Sequence, residues 1–252
     1  MVWQRRSHLE TPLRAIWPAI CVAALCWPSS AWACDWPPKD VAERFEHATD
    51  VFVGRVVESP WGRGGVKSSP TSEVRLAVQT RYKGAPLSDV TVMPDGDCTF
   101  PFVEGESYVV FGSTRLGRFA AATPDEPLLM SDNADARTKQ ERALAIQYAE
   151  ARTAGQAVAL LQGTVEITQA APALEKVRVH VEGSVQSGSA ELVYAAPGLY
   201  SYGLVLPPGD YRSWVERDGV RISLIRVVRL VAQQGIKLVQ VTDTQAESQG
   251  RK

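Results

Sequence analysis

Cys34 and Cys98 are the residues whose type and placement best suit chemistry. A thiolate is a nucleophile and a metal ligand, and two cysteines in an oxidising compartment most simply close one disulfide; two free thiols are the alternative. The other cysteines, Cys21 and Cys26, lie in an apolar run near the start of the chain. Beyond residue 34 histidine is scarce, with only His47 and His180, and no HExxH, C-x-x-C or G-x-S-x-G occurs. Each histidine suits a surface or a satisfied core position better than a metal site. Asp95-Gly96-Asp97 suits a turn, because no further carboxylates follow at the spacing of a calcium loop. Glu104 and Glu106 flank Gly105 at a tight turn and form no acid–base pair. The spaced arginines 217, 221, 226 and 229 fit a solvated strand face, with an acidic partner surface as the alternative. The expectation is a protein without enzymatic activity and with no cofactor or metal of its own.

The segment ahead of Cys34 decides what that residue can do. Arg5, Arg6 and Arg14 precede an apolar run over 15–27, and Ala31-Trp32-Ala33 ends it. Small residues at 31 and 33 match the A-x-A pattern of a signal-peptidase site. The run is short for a bilayer span, so a retained membrane anchor is the weaker reading. Residues 1–33 are therefore expected to be a signal peptide, and the chain to be exported to the periplasm, the cell surface or the medium. Cys34 then becomes the first residue of the mature chain. Lipoproteins are also cut before a cysteine, but the bulky Trp32 makes a poor lipobox; membrane attachment is expected only if Cys34 is lipidated.

Of 252 residues, 219 remain after such a cut, ample for two small domains. The whole chain carries a formal net charge of −1; the leading segment holds three arginines and one glutamate, leaving the rest near −3. That balance excludes a nucleic-acid binder. A Cys34–Cys98 bridge would be worth about 4 kcal/mol in the chain-entropy model.

After Pro37-Pro38, residues 39–48 fit a short helix with Val41, Phe45 and Ala48 on one face. A β-rich run follows over 51–57, where Gly54 predicts a bulge or bend. Residues 59–72 have loop chemistry, with Trp61 as a possible contact residue near its tip. Strands are predicted over 74–81, 90–93, 107–112 and 118–123, and a helix over 138–152 with Leu144, Tyr148 and Ala151 on one face. Together these predict a small barrel with a packed helix. Residues 153–157 suit a linker. Beyond it, strands predicted at 158–168, 176–182, 190–195, 199–206, 211–217, 222–231 and 236–241, separated by Pro- and Gly-rich turns, predict an antiparallel β-sandwich over 158–243. Residues 244–252 are polar and are expected to be disordered. The fold class expected is mainly β: a small OB-type β-barrel with a packed helix, followed by an antiparallel β-sandwich.

Residues 34–152 resemble the N-terminal domain of the tissue inhibitors of metalloproteinases, in its netrin-module-like bacterial form. The stretches that carry the resemblance are Ala33-Cys34 with Pro37-Pro38, Phe45 with Ala48-Thr49-Asp50-Val51-Phe52-Val53-Gly54-Arg55-Val56, Tyr82-Lys83-Gly84, and 98–111 with its Cys98-Thr99-Phe100-Pro101-Phe102 start. The resemblance implies an OB barrel, a Cys34–Cys98 bridge and, at Cys34, an α-amine and carbonyl that chelate the zinc of a secreted metalloprotease. Asp35, Trp36 and Trp61 would then belong to the contact ridge. Asp35 stands where animal inhibitors carry a small uncharged residue, and Trp36 where they carry a second cysteine. Residues 158–243 resemble carboxypeptidase regulatory-like (prealbumin-like) sandwiches, through Leu161-Gln162-Gly163-Thr164-Val165, Val177-Arg178-Val179 and the 200–211 stretch ending Pro207-Pro208-Gly209-Asp210-Tyr211. Such modules are non-catalytic. The partner expected is a secreted zinc metalloprotease or another envelope protein; the alternative function is structural or adhesive, with no inhibition.

Overall fold

The computed structural model describes residues 39–60, 73–92, 100–115, 118–120, 127–167 and 177–241. The first β unit is built from β1 (Asp50–Glu58), β2 (Val74–Lys83), β3 (Asp89–Val92), β4 (Ser107–Arg115), β5 (Arg118–Ala120) and β6 (Leu128–Leu129). β1 pairs antiparallel with both β2 and β4, β2 with β3, and β4 with β5 and β6. β3 meets β5 through one parallel bridge, Val92 to Phe119. The pairings thus run β1-β2-β3-β5-β4 and return to β1. This is the strand order of an OB-type barrel with a narrow seam.

Why β1 carries the apolar run Val51-Phe52-Val53 becomes clear from its two faces. Successive side chains of a strand point to opposite sides. Phe52 and Val56 join Leu76, Val110 and Phe119 inside the barrel, whereas Val51 and Val53 join Val109 and Phe111 on the outside, under the helices. Both faces are covered over 51–53, so no polar alternation survives there. The register of β1 against β2 slips between Val53 and Gly54, the bulge that the glycine predicts. At Gly112 in β4 there is no room for a side chain, because the ring of Phe119 occupies that space.

α1 (Val41–His47) starts at Asp40, whose carboxylate accepts the Glu43 N–H at 2.8 Å. α2 (Ala136–Thr153) starts at Asp135, which accepts the Thr138 N–H at 2.9 Å and the Thr138 hydroxyl at 2.6 Å. These hydrogen bonds hold the Asp135 carboxyl below the usual carboxylate range. A depressed acid adds stability above its unfolded pKa and loses it as pH falls through its folded value. Asp135→Ala is therefore expected to cost about 1 kcal/mol at pH 7, a few degrees of melting temperature. The gap from wild type should narrow as pH falls through that lowered folded value, which thermal denaturation followed by circular dichroism at pH 7 and in acid checks.

The second β unit holds β7 (Ala159–Glu166), β8 (Val177–Gly183), β9 (Ser187–Glu191), β10 (Val193–Ala196), β11 (Leu199–Leu206), β12 (Gly209–Arg217), β13 (Val220–Arg221), β14 (Arg226–Leu230) and β15 (Gly235–Val241). One sheet runs β10-β11-β7-β15; the other runs β13-β12-β8-β9, with β14 also on β12. Tyr200, Tyr202, Leu161, Val179, Val215 and Leu230 fill the core between them. Three details depart from the sequence reading. The run at 190–195 is two strands, β9 on one sheet and β10 on the other, with the handover at Leu192. The run at 222–231 is broken, because the Ser223 hydroxyl takes the Val215 N–H at 2.8 Å in place of a backbone carbonyl. And β15 lies parallel to β7, so the sandwich is not wholly antiparallel.

α2 joins the two units. Leu144, Ala145, Tyr148 and Ala149 recur at helical spacing on its buried face. They belong to one hydrophobic cluster that includes Val51, Val109 and Phe111 of the barrel, Phe45 of α1, and Val158, Leu160 and Val205 of the sandwich. The residues after α2 are tied back to it, Gly155 N–H to the Arg152 carbonyl and Gln156 N–H to that of Ala151. Among the described residues no helix is long and apolar enough to cross a membrane.

Candidate binding surfaces

Cys34, Asp35, Trp36, Trp61 and Cys98, and with them the expected bridge and contact ridge, lie outside the described residues, as does the Asp95-Gly96-Asp97 turn. Glu104 and Gly105 form a turn, with φ +90° at Gly105, whose carbonyl accepts the Arg55 Nε–H at 3.2 Å. His47 is exposed at the end of α1, whereas His180 sits half-buried on β8. Among the described residues no group of three or more His, Cys, Asp or Glu side chains is placed to hold a metal.

A groove of about 700 Å³ lies where α1 and α2 meet β7, β11 and β15. Its two aspartates cap helices, and its Arg44 and Glu141 pair with each other. Asp40 caps α1 and fills the space over Gly235 of β15, so a side chain there would collide with the carboxylate. Asp135 caps α2, and Arg44 is buried against Glu141, linking the two helices. The Ser201 hydroxyl donates to Gln140 Oε1 at 3.0 Å. The chemistry of this groove is that of a polar seam between elements.

The outer face of the five-stranded sheet carries a second constellation. Alternation along β12 buries Tyr211, Ser213 and Val215 and turns Arg212, Trp214 and Glu216 outward. Register sets Trp214 opposite His180. The two rings stack, 5.9 Å between centroids and 15° between planes. Glu216 accepts the Trp214 indole N–H at 2.6 Å and pairs with His180 Nε2 at 3.0 Å. A shallow depression of about 340 Å³ adjoins it, lined by Glu182, Asp210, Arg212 and Val227. The sequence reading singled out His180 without Trp214; the alternation over 211–217 could have placed Trp214 on the outward face, but its pairing with His180 depends on register.

The third surface is the β13–β14 edge of that sheet. Val220, Leu224, Ile225, Val227 and Val231 are all exposed there, an unusual density of large apolar side chains for one edge. Arg221 and Arg226 are exposed beside them, and Arg229 is held by Asp210 at 2.6 and 3.0 Å. Three of the four arginines singled out in the sequence, Arg221, Arg226 and Arg229, thus lie at this edge, interleaved with apolar residues, while Arg217 ends β12.

No family model and no curated protein matches the chain. Among solved structures, it is similar to a protein from Bacteroides fragilis described provisionally as a cell adhesion protein, with 8% identity over 77% of this chain and 81% of that one and a TM-score of 0.26. It is also similar to a family 26 carbohydrate-binding module from Eubacterium rectale, solved with maltoheptaose, with 11% identity over 77% and 88% of the two chains and a TM-score of 0.20. Likenesses this distant carry no argument about ligand or activity, and the surfaces of this chain rest on their own geometry.

Proposed function

We propose that the chain is an exported, non-catalytic binding protein of the cell envelope, which presents surfaces of a stiff two-part β body to another macromolecule. The observation that carries this reading is the core that runs from the barrel through α2 into the sandwich. A core shared by both units holds their surfaces at fixed spacing, a property of use to a scaffold or adhesive protein. The acids along the seam support it too, since caps and ion pairs engage them. The basic, apolar and A-x-A order of residues 1–33 supports export.

The test is to express the full chain in a bacterial host, fractionate the cells, sequence the amino terminus and incubate the mature protein with isolated envelopes. A mature chain that begins at Cys34, lies outside the cytoplasm and is retained saturably by envelopes is the result expected. An uncut cytosolic chain, or no saturable retention, overturns the reading.

A second reading, inhibition of a secreted zinc metalloprotease through the amine and carbonyl of Cys34, is favoured by the OB-type strand order with α2 packed on the barrel. It needs an unblocked Cys34 bridged to Cys98. One alanine inserted before Cys34 would displace the chelating amine; equal potency with and without it rules the mechanism out.

A further inference from the structure

The open edge of the five-stranded sheet combines three features that together select a partner. We propose that β14 is a strand-addition site for an extended acidic segment of a partner protein. This rests on the reading of the chain as a binding protein and names where it binds and what it takes.

The first feature is an unpaired strand. β14 pairs with β12 on one side, and among the described residues no strand pairs with its other side. In an antiparallel pairing every second residue of an edge strand turns its N–H and C=O outward, and these groups recruit another strand. β14 is firmly seated, because Val228 and Leu230 are buried in the sandwich. Its exposed backbone is therefore a fixed template.

The second feature is apolar. Val227 is 77% exposed on the outer face. Upstream, Ile222 N–H reaches the Val215 carbonyl at 2.8 Å and the Ser223 hydroxyl takes the Val215 N–H, so β12 is satisfied across the break. That arrangement leaves Leu224 65% exposed and Ile225 42% exposed, just before the strand resumes. Edge strands are ordinarily blunted by lysine, proline or inward charges. β14 keeps charge in Arg226 and Arg229, but Val227 between them and Leu224 and Ile225 upstream offer apolar side chains of the kind a strand-addition site uses for specificity.

Charge, the third feature, chooses the occupant. Residues 220–231 hold three arginines and no acid. Arg229 is engaged by Asp210, but no ion pair is found for Arg221 or Arg226 among the described residues. Arg212, cross-strand from Val227, is exposed as well. Pairing with a second copy would crowd arginines against arginines, which like-charge repulsion disfavours. An incoming strand that alternates acidic and β-branched residues meets both the cations and the apolar side chains.

The experiment titrates the mature protein into a fluorescein-labelled, end-capped peptide of about eight residues alternating Glu and Val, a length that spans one strand. A Lys–Val peptide and a Ser–Val peptide serve as controls. Saturable binding of the Glu–Val peptide alone is expected, with amides of residues 226–230 gaining protection from hydrogen exchange. Arg226→Glu should weaken it about tenfold or more, and so should raising salt from about 50 mM to about 500 mM. Val227→Lys, at an exposed position that leaves the core intact, should weaken it as well. Absence of binding, equal binding of either control peptide, protection confined to another strand, or self-association that Val227→Lys abolishes each overturns the proposal. Retention by envelopes without peptide binding overturns this site alone; peptide binding by a chain that stays uncut in the cytosol supports the site and overturns the envelope reading.

Discussion

Replacing Tyr148 by alanine is expected to lower the melting temperature by on the order of 10 °C while leaving a single transition. Tyr148 is fully buried on α2, in the cluster that, among the described residues, takes in barrel, helices and sandwich. Its ring meets Phe45 edge-on, 5.6 Å between centroids at 73°, and its hydroxyl donates to Glu46 Oε1 at 3.0 Å, an oxygen that also accepts the Arg152 Nε–H at 2.8 Å. Burial, with the charge of Glu46 adding to it, pushes the phenol's pKa well up, so the group stays a hydrogen-bond donor at any working pH. Truncating an aromatic side chain of this size in a core costs about 3–5 kcal/mol, and in a chain of this length each kcal/mol moves the midpoint by about 2–4 °C. Tyr148→Phe keeps the ring and loses only the hydroxyl, so about 1 kcal/mol is expected from it. Scanning calorimetry separates the outcomes. If α2 gripped only one unit, Tyr148→Ala would split the melt into two transitions; if the ring were dispensable, the midpoint would not move.

How much of this was visible in the sequence follows from where the determining interactions lie. The faces of α2 and the bulge at Gly54 are local matters, set by helical spacing and by a missing side chain, and both were legible. The double burial of β1 showed as an apolar run without alternation, although the run does not say what covers each face. The handover at Leu192 was not legible, because no glycine or proline marks it; the strand changes sheet as its hairpin partner changes from β8 before it to β11 after it. The break at Ser223 likewise depends on a hydrogen bond to a strand eight residues away. Arginines 217, 221, 226 and 229 read as one solvated strand face, yet they fall on β12, β13 and β14, and only the topology reveals that β13 and β14 form an edge. Trp214 acquires its partner from the register of β12 against β8, which depends on pairing across the sheet. Cys34, Asp35, Trp36, Trp61 and Cys98 still rest on the sequence, through residue type and resemblance.

A buried ion pair at one end of the barrel gives the other large effect, and its size depends on whether one partner or both are removed. Asp50 at the start of β1 receives Arg81 Nη1 of β2 at 3.0 Å, while its second oxygen accepts the hydroxyls of Thr49 at 2.8 Å and of Thr114, in β4, at 3.1 Å. Three strands are thereby tied at a single carboxylate. Both side chains are nearly buried, 11% exposed for Asp50 and 13% for Arg81, and the guanidinium lies over the Phe52 ring at 5.2 Å. Arg81 Nε and Nη2 are buried without hydrogen-bond partners among the described residues, so Asp50 is the main compensation for burying that cation. Asp50→Ala would leave the arginine charged and unanswered, and about 3–5 kcal/mol is the expected loss. Arg81→Met in the Asp50→Ala background removes the stranded charge and should recover most of that loss, since a buried pair exchanged for apolar groups of similar size is often close to neutral. A double-mutant cycle in urea measures the coupling. Strong recovery in the double variant identifies the stranded guanidinium as the source of the damage; a double variant as unstable as Asp50→Ala alone would assign the role instead to the Thr49 and Thr114 hydroxyls, and to the joining of β1 with β4 rather than with β2.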